Sequence, residues 1–129
     1  MDYSIKNLRQ VEDSAPKHGL SEVGEARFPG SDLRAETTGL AYHVLRPNKR
    51  QGFAHRHDKA EEIYVVLAGS GRIKLDDDVV ELETMDAVRL APSVVRALEA
   101  GPDGLELLAF GPRVEADGEI VSIDGFWND

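Results

Sequence analysis

Short apolar segments, separated by turn residues, fill the middle of the chain and constrain its fold more than any other feature. Glycine, proline and aspartate stand between the segments, and Gly69-Ser70-Gly71 in particular predicts a tight turn. No stretch of this region has the periodicity of an amphipathic helix. The pattern therefore predicts an all-β sandwich or barrel. The predicted strands are 39–45, 52–57, 62–67, 72–75, 79–82, 86–91, 94–99 and 105–110.

The regions on either side of these strands have a different texture. Residues 1–38 are mixed and polar, and we expect an N-terminal arm with short ordered pieces. Residues 113–129 form a C-terminal tail whose apolar end, with Phe126 and Trp127, we expect to dock on the barrel or across a dimer interface. The 129 residues fit one domain of ordinary size, with a barrel core at about 39–112.

Composition excludes several classes of function. A net charge of -9 disfavours nucleic acid and anionic membrane surfaces as partners. No stretch approaches the roughly 18 apolar residues that a membrane span requires. The chain has no cysteine, which excludes disulfides, thiolate metal sites and cysteine nucleophiles. We expect a cytoplasmic protein, since Met1 to Gln10 has no signal-like apolar run.

The residues that carry chemistry lie on two consecutive predicted strands. His55 and His57 are two positions apart, so on a strand they face the same side, together with Phe53. Glu62 and Tyr64 share one face of the next strand. If both faces line the interior, a carboxylate meets two imidazoles in an apolar cavity. A divalent metal would offset the high cost of burying that carboxylate.

Two aromatic side chains belong to this predicted cavity. Phe53 is expected to form part of the wall, and we count it among the ligand-binding residues. Tyr64 is a ligand-binding residue and the one catalytic candidate, because its phenol could donate a hydrogen bond or a proton to a bound molecule. A core tyrosine with one satisfied hydroxyl is the alternative.

The stretch His55-x-His57-x4-Glu62-x6-Gly69 resembles the first conserved motif of the cupin superfamily. Met85 to Val88 followed by Ala91-Pro92 resembles the second motif, and the resemblance covers roughly residues 39–111. It implies a double-stranded β-helix, or jelly roll. It also implies that the two histidines and the glutamate bind a metal such as Mn, Fe, Ni, Zn or Cu.

One position departs from the cupin pattern. Cupins usually supply a third histidine after the proline of the second motif, and here Arg96 is the residue nearest that place. Arginine cannot ligate a metal, because it stays protonated. Facing inward, it would replace the metal's charge beside Glu62 or hold the carboxylate or phosphate of a ligand. Facing outward, it would be a surface arginine.

His43 could supply a missing ligand, or it could be an ordinary half-buried or exposed histidine. The strand 39–45 leaves its face ambiguous.

The sequence is compatible with three functions. One is a metal-dependent enzyme of oxygenase or isomerase type acting on a small molecule. The second is a metal-free, non-catalytic ligand-binding or sensory cupin in which Arg96 holds an anionic ligand. The third is a structural role in which the arm and tail mediate assembly, and a homodimer is the default expectation. The resemblance does not choose the substrate or the reaction, because one fold carries many chemistries.

Overall fold

The computed structural model describes residues 1–129 and consists almost entirely of antiparallel β-strands. Helical structure is limited to two 3₁₀ turns, Leu8–Gln10 and Ala15–His18, and a single-turn helix α1, Gly30–Leu33. The all-β prediction is confirmed. None of these helices has the length and apolar character needed to cross a membrane. The strands are β1 Gly24–Arg27, β2 Thr38–Leu45, β3 Ala54–His57, β4 Glu62–Leu75, β5 Asp78–Leu82, β6 Ala87–Leu90, β7 Arg96–Pro112 and β8 Gly118–Val121.

Two long bent strands organise the sheet. β4 and β7 pair with each other along two stretches, and the pairing shifts register on either side of Gly69. Gly69 has φ +77°, and Gly104, next to the Leu105 that pairs with it, has φ +81°. A Cβ atom at Gly69 would collide with the carbonyl group of Gly104. The predicted turn at residues 69–71 is therefore wrong: these glycines form bulges at which one continuous strand bends.

The bent strands create two layers whose inner faces pack together. One layer contains β1, β2, the second half of β7, the first half of β4, and β6. The other contains β8, β3, the first half of β7, the second half of β4, and β5. This arrangement confirms the predicted jelly roll.

The interior is densely filled at one end and open at the other. Large aliphatic side chains such as Val66, Ile73 and Leu107 are fully buried in one cluster drawn from both layers. Further along the same strands the paired residues become small, with Ala41 opposite Ala109 and Gly39 opposite Gly111. These small residues leave space where β4 begins.

The C-terminal tail docks on the outside of its own barrel. β8 pairs with β3, and Trp127 packs on Ala54 and Ala97. The guanidinium groups of Arg50 and Arg72 lie 4.6 and 5.3 Å from the centre of the indole ring. The barrel of the same chain thus covers Trp127, whereas Ile120 of the tail is 71% exposed, and the homodimer stays a prediction.

Candidate metal centre

Strand β3 carries the two histidines into the interior. His55 and His57 have ring centroids 5.3 Å apart. Ala54 points the opposite way, beneath Trp127, and Arg56 bonds to Glu119 on the outer surface. The alternation of side chains along an extended strand thus gives the two imidazoles a common direction, as the spacing in the sequence predicts.

Glu62 meets the histidines from the opposite layer. It is the first residue of β4, and its Oε1 lies 3.1 Å from Nε2 of His57 and 3.8 Å from Nε2 of His55. The ligand atoms of these three residues all lie within 4.8 Å of one another, and all three side chains are half-buried. The structure therefore brings the three predicted metal ligands together.

Arg96 faces the interior. Its side chain is completely buried, and Nη2 donates to Oε1 of Glu62 at 2.7 Å. Nη1 donates to the carbonyl oxygens of Pro92 and Val94, at 3.2 and 2.7 Å. The inward alternative is the one that the structure contains, and the guanidinium is held by three acceptors.

The neighbouring side chains keep Glu62 ionised. Burial acts to raise the pKa of this carboxyl group, but interactions with His55 and Arg96 and the charge of His57 outweigh it and lower the pKa to about 2. A carboxylate with so low a pKa is charged at neutral pH. It can therefore serve as a metal ligand without losing a proton first.

The environment of His57 tests whether the site fits a metal ion. Both ring nitrogens are buried, and neither has a hydrogen bond of good geometry, although a carboxylate oxygen lies near each. A buried nitrogen without a proper partner is costly, and coordination of Nε2 would satisfy it. Two imidazoles and one carboxylate form a donor set that suits divalent transition metals. The residues present therefore fit such an ion.

Asp117 is a further residue of the site that the sequence did not predict. This residue lies in the tail just before β8, is 8% exposed, and places Oδ2 3.2 Å from Nδ1 of His57. Its carboxylate accepts hydrogen bonds from the backbone N–H groups of Lys59 and Ala60, at 2.8 and 2.9 Å. No periodic pattern surrounds Asp117 in the sequence. Only the non-local pairing of β8 with β3 brings it to the site.

The two predicted ligand-binding aromatics lie in different places. Tyr64 is buried, and its hydroxyl is 3.5 Å from both Oε1 of Glu62 and Nε2 of His55, the outer limit of a hydrogen bond. Burial and the charge of Glu62 raise its pKa, so the phenol keeps its proton. Phe53 is 36% exposed and lines a separate, mainly apolar cavity of about 120 Å³, whose wall also includes His43.

His43 faces inward but does not join the three ligands. It lies on the same face of β2 as the core residues Ala41 and Leu45, and its ring is perpendicular to that of Phe28, with 5.9 Å between centroids. Burial, and secondly the nearby His55, lower its pKa to about 4. His43 is therefore neutral at pH 7, and it is half-buried as one of the two alternatives predicted.

A second, open cavity of about 820 Å³ gives small molecules access to Glu62. Small inward residues line it next to the carboxylate, and charged residues stand at its rim. The lining includes Gly39, Ala41, Ala109, Gly111, Glu36, Arg113 and Glu115.

No family model matches the sequence, and no curated protein matches it. Solved structures do resemble it. A cupin protein from Bacteroides fragilis has a TM-score of 0.71 at 22% identity, over 90% of this chain and 88% of the other. Oxalate decarboxylase from Bacillus subtilis gives 0.73 at 17%, over 92% of this chain but only 33% of the enzyme.

The lyase DddQ from Ruegeria pomeroyi, which acts on DMSP, gives a TM-score of 0.69 at 15% identity, over 93% of this chain and 60% of that one. The chain thus spans a third of the oxalate decarboxylase and three fifths of the lyase. These likenesses and the two-layered sheet show that the protein has the fold of the cupin superfamily.

Proposed function

We propose that the protein binds one divalent transition-metal ion through His55, His57 and Glu62 and uses it to bind or transform a small molecule. The observation that carries this proposal is the convergence of the three ligand atoms, within 4.8 Å of one another, in the interior of the barrel. The open cavity beside Glu62 provides a route of entry.

Three protein ligands would leave coordination positions open, and a bound ion there would polarise a carbonyl group or activate water or dioxygen. The chain's own residues have distinct tasks. Glu62 supplies the negative charge, and Arg96 orients its carboxylate through the 2.7 Å contact. Tyr64 holds a proton 3.5 Å from the same oxygen and can donate it to a bound molecule.

The charge of the site favours an anionic molecule. Glu62 and Arg96 neutralise each other and Asp117 adds one negative charge, so a divalent ion would still leave an excess positive charge in a partly buried space. A small carboxylate would balance that charge at short range, where attraction between opposite charges is strong. We therefore propose small carboxylic acids as the first class of ligand to screen.

A second candidate function is metal-free binding of an anion. It is favoured by the ion pair between Arg96 and Glu62, which already compensates the carboxylate without a metal. A dication would also be repelled by the guanidinium, which lies next to the ligands and cannot lose its proton. In this case the protein would be a binding or sensory module rather than an enzyme.

Metal content separates the two candidates. The protein is purified without added metal, analysed for bound elements, and titrated with Zn²⁺ and Mn²⁺ beside the variants His57→Ala and Arg96→His. His18→Ala serves as the matched control, since His18 is an exposed histidine of the N-terminal arm.

About one ion per chain in the wild type and the control, lost in His57→Ala, supports the metal proposal. An ion in Arg96→His but none in the wild type supports the metal-free candidate. If neither protein binds an ion, the three residues do not form a metal site.

A further inference from the structure

The C-terminal tail brings a carboxylate to the inner side of the barrel. Strand β8 pairs with β3, and Gly118 lies opposite His57 in the register. Immediately before it, the carbonyl oxygen of Asp117 accepts the backbone N–H of Asp58 at 3.1 Å. The backbone of Asp117 is therefore fixed against the strand that carries the histidines.

The side chain of Asp117 is fixed as well. Its two oxygens accept separate backbone hydrogen bonds, Oδ1 from Lys59 and Oδ2 from Ala60. A buried carboxylate held by two backbone donors is rigid and charged.

His57 lies between two carboxylates. Nδ1 is 3.2 Å from Oδ2 of Asp117, and Nε2 is 3.1 Å from Oε1 of Glu62. The first distance is within hydrogen-bond range, although the ring N–H direction falls short of ideal geometry. An imidazole turned so that Nδ1–H points at Oδ2 would complete this hydrogen bond.

We propose that Asp117 is a positioning residue that acts through His57: its carboxylate keeps a proton on Nδ1 and orients the ring so that Nε2 faces the metal site. An imidazole has two nitrogens, and the partner of one decides which face the other presents. Carboxylates behind ligating histidines act in this way in metal sites generally. The effect on metal affinity rests on the proposed function, whereas the effect on the ring does not.

The first test is metal affinity. Zn²⁺ is titrated calorimetrically into the wild type, Asp117→Asn and Glu119→Gln. Asparagine keeps the size of the side chain and one backbone hydrogen bond but loses the charge. The control removes the outward-facing carboxylate of Glu119, two residues after Asp117, which bonds to Arg56.

We expect Asp117→Asn to bind Zn²⁺ about 10- to 100-fold more weakly, and Glu119→Gln to bind like the wild type. Equal affinity in all three proteins would overturn the proposal.

The second test needs no metal. In protein with ¹⁵N-labelled histidine, the Nδ1–H group of His57 should give a proton signal that exchanges slowly with water, because the group is buried against Asp117. The signal should persist in Glu119→Gln and disappear in Asp117→Asn. Its absence from the wild type would overturn the proposal, even if the variant failed to fold.

The two tests separate the inference from the proposed function. A protected Nδ1–H in a wild type that binds no Zn²⁺ would remove the metal function and leave the positioning role. Tight Zn²⁺ binding without any effect of Asp117→Asn would remove the positioning role and leave the metal function.

Discussion

Arg96 and Glu62 join the two layers of the sheet through the barrel interior. Arg96 is the first residue of β7 in one layer, and Glu62 is the first residue of β4 in the other. Nη2 of Arg96 lies 2.7 Å from Oε1 of Glu62. The Arg96 side chain is completely buried, whereas that of Glu62 keeps 18% exposure. The pair therefore contributes both to the packing of the barrel and to the charge of the candidate metal site.

The variant Arg96→Leu should be strongly destabilised in the absence of metal. The substitution removes the main partner of Glu62 and leaves this carboxylate charged and partly buried. We expect a loss of about 3 kcal/mol. This is the low end for a broken buried pair, because Glu62 keeps some contact with solvent. Chemical denaturation measures the loss. The double variant Arg96→Leu/Glu62→Leu should lose less than the single variant. A single-variant loss below about 1 kcal/mol would contradict the importance of the pair.

His43 should make stability sensitive to mild acid. Its pKa in the folded protein is about 4 against an ordinary value of 6.5, so between these values the unfolded chain binds a proton that the native state excludes. The free energy of unfolding should therefore fall as the pH falls from 6.5 towards 4, by at most about 1.4 kcal/mol per pH unit. Above pH 6.5 the contribution is fully present.

The comparison protein for this prediction is His43→Gln, which keeps a polar group of similar size without the titration. Both proteins retain His55 and His57, so the difference between their denaturation curves isolates residue 43. If the free energy of unfolding changed by the same amount in both proteins between pH 7.5 and pH 4.5, the lowered pKa of His43 would be contradicted.

Removing the indole of Trp127 should release the tail. Trp127 is 8% exposed and packs against Ala54 and Ala97, so Trp127→Ala should cost about 3–5 kcal/mol. Ile120→Ala, on β8 but 71% exposed, should change the stability little.

Because Trp127 is the only tryptophan, its fluorescence also reports docking. Acrylamide should quench it more strongly in Arg50→Ala/Arg72→Ala, which removes both cations over the ring. Unchanged quenching would show that the guanidinium groups do not help to hold the indole.

The bend in β4 should not tolerate a side chain. Gly69→Ala places a Cβ against the carbonyl of Gly104 and also adopts a positive φ, and we expect a loss of more than about 1–3 kcal/mol. Gly125→Ala is the matched control, since Gly125 has φ +72° but open space around it. Thermal unfolding of the two variants separates the collision from the backbone strain. Equal losses of stability in the two variants would show that the close approach of Gly69 to the carbonyl of Gly104 contributes nothing.

Local alternation made part of the site predictable. The two-residue spacing of His55 and His57 determines their common direction, and Glu62 and Tyr64 follow the same rule on β4. The bent strands were not predictable, because glycine favours both turns and bulges and the sequence does not distinguish them at Gly69.

Other parts of the site depend on contacts between distant parts of the chain. The orientation of Arg96 depends on where β7 begins after Pro92, and a shift of one residue would turn the side chain outward. Asp117 reaches His57 only because β8 pairs with a strand that lies some 60 residues earlier in the chain. No short-range pattern carries that information.

The pairing of β3 has a consequence for chains that are damaged near the C-terminus. β3 meets β7 at one residue pair, His55 with Arg96, whereas it meets β8 at four. Loss of the tail would therefore leave the backbone N–H and C=O groups along one side of β3 without partners. An uncovered strand edge of this kind invites pairing with other chains, so we expect chains that lack the tail to aggregate more readily than the intact protein.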